Sequence, residues 1–163
     1  MTDPRGTSDT PASDAHVHDG DGDEAQVANA QVPDRADSIP AARSFLARLL
    51  DGWGVEDEVI DDASLLTSEL MANAVQHGAG LVNLRIEVQH GLLHVGVHDD
   101  SAEGPVVNDP SPTRPGGRGM WIVQSIAHDW GSESNGDSPG KTVWFELRAL
   151  QTHPSAEGQQ PRS

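Results

Sequence analysis

Glu69 and Asn73 stand four residues apart. On a helix that spacing puts a carboxylate and an amide on one face. Gln76 continues the row. Advancing about 100° per residue, the row runs beside the apolar stripe of Val59, Ala63, Leu66, Leu70 and Ala74, not opposite it. A polar row at the border of a buried face sits at the lip of a cleft. There a carboxylate can orient or deprotonate a nucleophile. An amide oxygen is a hard ligand suited to a Mg2+ ion that also holds phosphates. The competing account is a solvated helix flank. Asp99 shares the parity of Leu93, Val95 and Val97, so alternation turns it toward the core face of a strand. An ionised carboxylate there is costly without a donor, and the exocyclic amine of adenine would supply one. Alternatively the strand ends at His98 and Asp99 belongs to the loop. Gly116-Gly117-Arg118-Gly119 directly precedes a helical stretch. Glycines let a backbone approach a ligand closely, the N–H groups of a helix start favour a phosphate, and Arg118 adds a cation. A flexible connection would explain the same glycines.

Gly140-Lys141-Thr142 imitates the end of a P-loop. That motif needs a glycine five positions before its Gly-Lys pair, where this chain has Asn135, and a helix after it. Val143-Trp144-Phe145-Glu146-Leu147 reads instead as a strand. His16-Val17-His18-Asp19 lies in a flexible acidic stretch and is read as tail, not as a metal site.

The elements that must position these groups follow from periodicity. Ser38 can cap a first helix, with Pro40 in its first turn and Ala42, Phe45, Leu46 and Leu49 at helical spacing; Gly52 and Gly54 stop it. A second helix runs from about Glu56 to His77. Two alternating strands, Val82 to Val88 and Leu93 to Val97, are joined at His90-Gly91. A Pro/Ser/Asp-rich loop spans about 100–116. A third helix runs from about Gly119 to His128, and a last strand carries Val143, Phe145 and Leu147 on one face. That order predicts an α/β (α+β) two-layer sandwich, an antiparallel or mixed sheet covered by helices, without a βαβ repeat. Residues 1–37 are rich in Asp, Gly, Ala, Thr, Ser and Pro, with too little apolar area to offset ordering entropy, and are expected to be a disordered acidic tail. Residues 38–150 are expected to be the folded domain and 151–163 a second polar tail.

The 163 residues carry a net charge of −16 and no cysteine. The acidity argues against nucleic acid as the main partner. The missing thiols exclude disulfide and thiolate-metal chemistry. No segment reads as a signal peptide or a membrane span, so a cytoplasmic protein is expected.

In their order these pieces resemble the GHKL superfamily of ATPases. Ser68-Glu69-Leu70-Met71-Ala72-Asn73-Ala74-Val75-Gln76-His77-Gly78 is similar to its N box. Val97-His98-Asp99-Asp100-Ser101 is similar to the segment with the adenine-binding aspartate, Gly117-Arg118-Gly119-Met120 to the later glycine box, and Gly140-Lys141-Thr142-Val143-Trp144-Phe145-Glu146-Leu147 to the closing strand. The resemblance covers nearly all of residues 38–150 and leans toward the anti-sigma-factor serine kinases, in particular small ATP-binding regulators of actinomycete type. It implies a Bergerat-type sheet with helices on one face, and ATP and Mg2+ as ligands. It makes Glu69 the general base, Asn73 the Mg2+ ligand and Asp99 the acceptor of the adenine amine. It gives Gln76, His77, Gly117 and Gly119 to the nucleotide site, and Thr142 to seating adenine; Arg118 joins them on charge. One departure stands out: the family pattern follows its aspartate with Gly-x-Gly, and Asp99 is followed by Asp100-Ser101-Ala102-Glu103-Gly104. Asp100 would disfavour phosphates if it pointed inward.

The activity this implies is a regulatory serine/threonine kinase that binds a sigma factor and phosphorylates an antagonist protein on serine. The alternative is a nucleotide-gated protein-binding module without turnover. No helix with a phosphoacceptor histidine precedes the domain, which disfavours a self-contained sensor histidine kinase. A homodimer is compatible with the resemblance, and a membrane partner is not expected.

Overall fold

The structure, a computed structural model, describes residues 24–75, 80–100, 110–113, 117–134, 137 and 140–149. Its elements in chain order are β1 (Gln26–Pro33), α1 (Ser38–Gly52), α2 (Asp57–Val75), β2 (Leu81–Gln89), β3 (Leu92–Asp99), α3 (Arg118–Ile126), β4 (Asp129–Ser134) and β5 (Lys141–Arg148). The strands form one antiparallel sheet in the order β1-β2-β3-β5-β4. The helices pack on one side of it: α2 lies on β3 and β5, flanked by α1 and α3. The two-layer α+β sandwich expected from periodicity is the fold.

Alternation sets the inner face. Val82, Leu84, Ile86 and Val88 of β2, Leu93, Val95 and Val97 of β3, and Val143, Phe145 and Leu147 of β5 are all buried. They meet Ala42, Leu46 and Leu50 of α1, Ala63, Leu66, Leu70 and Met71 of α2, and Met120 and Val123 of α3 in one core. The β2–β3 hairpin turns at His90 and Gly91, with φ of 51° and 73°. Two successive positive φ values match the twist of the flanking strands. Helix α1 ends in a Schellman arrangement: Val55 N–H donates to Leu50 O and Gly54 N–H to Asp51 O, both at 3.0 Å. Gly54 has the φ of 75° that this closure needs.

Two strands differ from the sequence reading. β1 lies inside the stretch expected to be a disordered tail, so order begins well before residue 38. Its inner positions are Ala28, Ala30 and Val32, a face too small and too alanine-rich to read as a strand from composition. It pairs along its whole length with β2, from Gln26 opposite Val88 to Pro33 opposite Leu81. β4 occupies the stretch between the expected third helix and last strand, where no strand was expected. It is short and mostly exposed, as edge strands commonly are. Residues 1–23 and the C-terminal tail lie outside the described residues.

The connections bring several ends together. Helix α2 stops at Val75 and β2 begins at Leu81, so only residues 76–80 separate them. Val82 is opposite Asp99, and Asp99 is opposite Lys141. Helix α3 leads into β4, whose Asp129 pairs with Glu146, while Ser134 pairs with Lys141. The C-terminal end of α3 is therefore at the end of β5 away from Lys141 and Asp99.

Candidate functional site

Glu69 sits on α2 where that helix crosses the first turn of α3. A Cβ built on Gly119 would lie 2.5 Å from Glu69 Oε2. Real side chains do not approach so closely, so the carboxylate rests against the helix start only because residue 119 is glycine. Gly117 precedes the helix and offers no side chain to cap it. The first N–H groups of a helix have no acceptor within it, and this turn presents them beside Glu69. Burial pushes the Glu69 carboxyl above its ordinary value of 4.5, the direction that makes a carboxylate a better proton acceptor near neutral pH.

Asn73 lies one turn further along α2 and is 8% exposed. Its Nδ2 is buried with no hydrogen-bond acceptor among the described residues. Leaving a buried donor unmet costs about 1–3 kcal/mol. A phosphate oxygen is the kind of group that would meet it, leaving the amide oxygen for a cation. Arg118 is the first residue of α3 and is exposed. Gln76 and His77 lie outside the described residues.

Asp99 closes β3 on the inner face, 1% exposed. The alternation of Leu93, Val95 and Val97 thus extends through it, and the loop alternative is set aside. Gly140 folds over this point: its φ is 118°, and a Cβ there would lie 2.6 Å from Asp99 O. The chain enters β5 pressed against the Asp99 backbone.

Two side chains go to the other face. Thr142, which the resemblance assigned to adenine, alternates outward from Val143, and its hydroxyl lies 3.0 Å from His98 Nδ1. It therefore cannot join Asp99, which faces the helix layer. Asp100 also turns outward: its Oδ1 accepts from His98 Nε2 at 2.7 Å. The second negative charge is thus held with His98 on the face away from the helices. The residue that does share the inner face with Asp99 is Lys141, directly opposite it in the register. Its parity with Val143, Phe145 and Leu147 marks that position in the sequence; the motif match had drawn attention to the threonine beside it. Burial pulls the Lys141 ammonium below the ordinary lysine range.

Glu69, Asn73, Asp99 and Lys141 thus all lie on the helix-covered side of the sheet, with Glu69 against the start of α3 and Asp99 opposite Lys141. The set comprises a half-buried carboxylate, a buried amide, a buried aspartate opposite a lysine, and a helix start with no side-chain cap. No group of three or more His, Cys, Asp or Glu suited to holding a metal occurs among the described residues. A family model for the histidine kinase-like ATPase domain matches residues 32–147, from the end of β1 to the last buried residue of β5. No curated protein matches the chain.

Proposed function

The chain belongs to the family of histidine kinase-like ATPase domains, and from that premise we propose that it is a regulatory serine/threonine kinase of the anti-sigma-factor type, holding a sigma factor and transferring the γ-phosphoryl group of ATP to a serine of an antagonist protein. The observation that carries this reading is the Glu69 carboxylate lying against the Gly119 turn with its proton affinity raised. In the transfer, Glu69 takes the proton of the acceptor hydroxyl as its oxygen bonds to the γ-phosphorus. The bond from that phosphorus to the bridging oxygen breaks, and ADP leaves. The N–H groups at the start of α3 stabilise the charge on the transferring group. Asp99 accepts from the adenine amine. Asn73 would hold Mg2+, which when bound neutralises phosphate charge.

The test is phosphate transfer from γ-labelled ATP to candidate antagonists. Glu69→Ala should lower transfer by about 10²–10⁴-fold, the usual contribution of a general base, with ATP affinity retained. Transfer undiminished in Glu69→Ala would overturn the assignment of the base.

A second reading has its own observation. Asp99 is followed by Asp100-Ser101 where the family pattern has glycines. A protein with that change would bind ATP to stabilise a partner-binding surface and would not turn it over. ATP binding together with no transfer to any bound partner would favour this reading.

A further inference from the structure

The inner-face position opposite Asp99 is occupied by a lysine, and the neighbouring threonine is committed elsewhere. Asp99 and Lys141 are direct partners in the antiparallel register of β3 and β5. Directly opposed residues have Cβ atoms about 4.5–5.5 Å apart. Both side chains leave the sheet toward the helix layer, since Asp99 alternates with Val97 and Lys141 with Val143. Thr142 is turned through to the far side and engages His98. Gly140 fixes where Lys141 begins, because its backbone is packed on Asp99 O with no room for a Cβ. The backbone thereby sets the Lys141 Cβ directly across from that of Asp99, within reach of its carboxylate.

The pair has complementary chemistry. An ionised aspartate only accepts hydrogen bonds and a lysine ammonium only donates them. The adenine edge around its exocyclic amine has the matching pattern, with the amine as donor and a ring nitrogen on either side, N1 or N7, as acceptor. We propose that Lys141 is a second base-reading residue, whose ammonium donates to a ring nitrogen flanking the amine that Asp99 accepts from. This inference rests on the ATP-binding reading above and adds to it a residue that determines base specificity. A carboxylate has lone pairs enough to accept from the base and from Lys141 together, so the two contacts do not compete. The partial burial that lowers the Lys141 proton affinity also strengthens the hydrogen bonds it makes.

The experiment is a set of binding titrations on the full chain with ATP, 1-deaza-ATP and 7-deaza-ATP, each of which keeps the amine and loses one flanking acceptor. Wild type should bind one of the two analogues about tenfold or more weakly than ATP, the usual worth of a hydrogen bond to a charged group. In Lys141→Met that penalty should vanish, because ATP falls to the level of the analogue. Lys141→Arg, which keeps the donor, should restore at least part of it. Thermal melts that coincide with wild type would show each variant folded. An analogue penalty that persists in Lys141→Met, or equal binding of all three nucleotides by wild type, overturns the assignment while ATP binding itself stands. A wild-type chain that binds none of the three overturns this inference together with the reading beneath it.

Discussion

Glu69 shows how one contact ties stability to chemistry. Its carboxyl is held above the ordinary 4.5 by burial, so between 4.5 and that higher value the folded chain binds more protons than the unfolded chain. Stability therefore falls as pH rises through that window and is level above it. Glu69→Gln removes the titration. Melting curves against pH should show wild type losing ground to the variant from about pH 4.5 upward, with a constant gap once Glu69 is ionised; parallel curves would contradict the burial argument. Gly119 tests the same contact from the other side. Gly119→Ala puts a methyl where Glu69 Oε2 now lies. The carboxylate is the free end of a side chain and can swing aside, and alanine gains about 1 kcal/mol over glycine within a helix. The melting temperature should therefore change little, while phosphate transfer should fall about tenfold or more, since a displacement near 1 Å is enough to spoil a catalytic geometry. A large loss of stability with transfer intact would reverse that argument. Helical spacing placed Glu69 and Asn73 on one face of α2 and strand parity placed Asp99 on the inner face, as the structure has them; their roles came from the family resemblance. Lys141 was not assigned because matching a short motif shifts easily by one residue, and in a strand one residue changes the face.

At the scale of elements, legibility followed apolar content. Helices α1 and α2, the β2–β3 hairpin and β5 carry large residues at regular spacing, and each was found. β1 and β4 are edge strands whose inner faces offer little beyond alanines, one valine and Trp130. Their order comes from pairing with β2 and β5, which a local reading does not contain. β1 is nevertheless part of the domain: Ala28 is buried, Ala30 and Val32 pack on the core, and Asp34 N–H donates to Gly80 O at 3.1 Å beside the connection between α2 and β2. A chain that starts at Ser38 would expose the hydrogen-bonding edge of β2 and lose those contacts. Its melting temperature should drop by roughly 10 °C, as expected for a loss of about 2 kcal/mol in a domain of this size. An unchanged melting temperature would mean that β1 adds nothing to the fold.

Over the whole molecule the sheet separates two surfaces. The helix-covered side gathers Glu69, Asn73, Asp99, Lys141 and the start of α3. The other side holds His98 with Thr142 and Asp100, and His94 stacked on Trp144 at 5.4 Å between ring centres. No helix among the described residues is long and apolar enough to cross a membrane. The net charge of −16 makes the few cations near the site, Arg118 and Lys141, the natural place for an anion to approach. Calorimetric titration of the full chain with ATP, with and without Mg2+, for wild type and Asn73→Ala, tests this arrangement most directly. Wild type should bind ATP more tightly with Mg2+ than without it, and Asn73→Ala should lose that enhancement. Failure of wild type to bind ATP, or a Mg2+ enhancement that survives in Asn73→Ala, would contradict it.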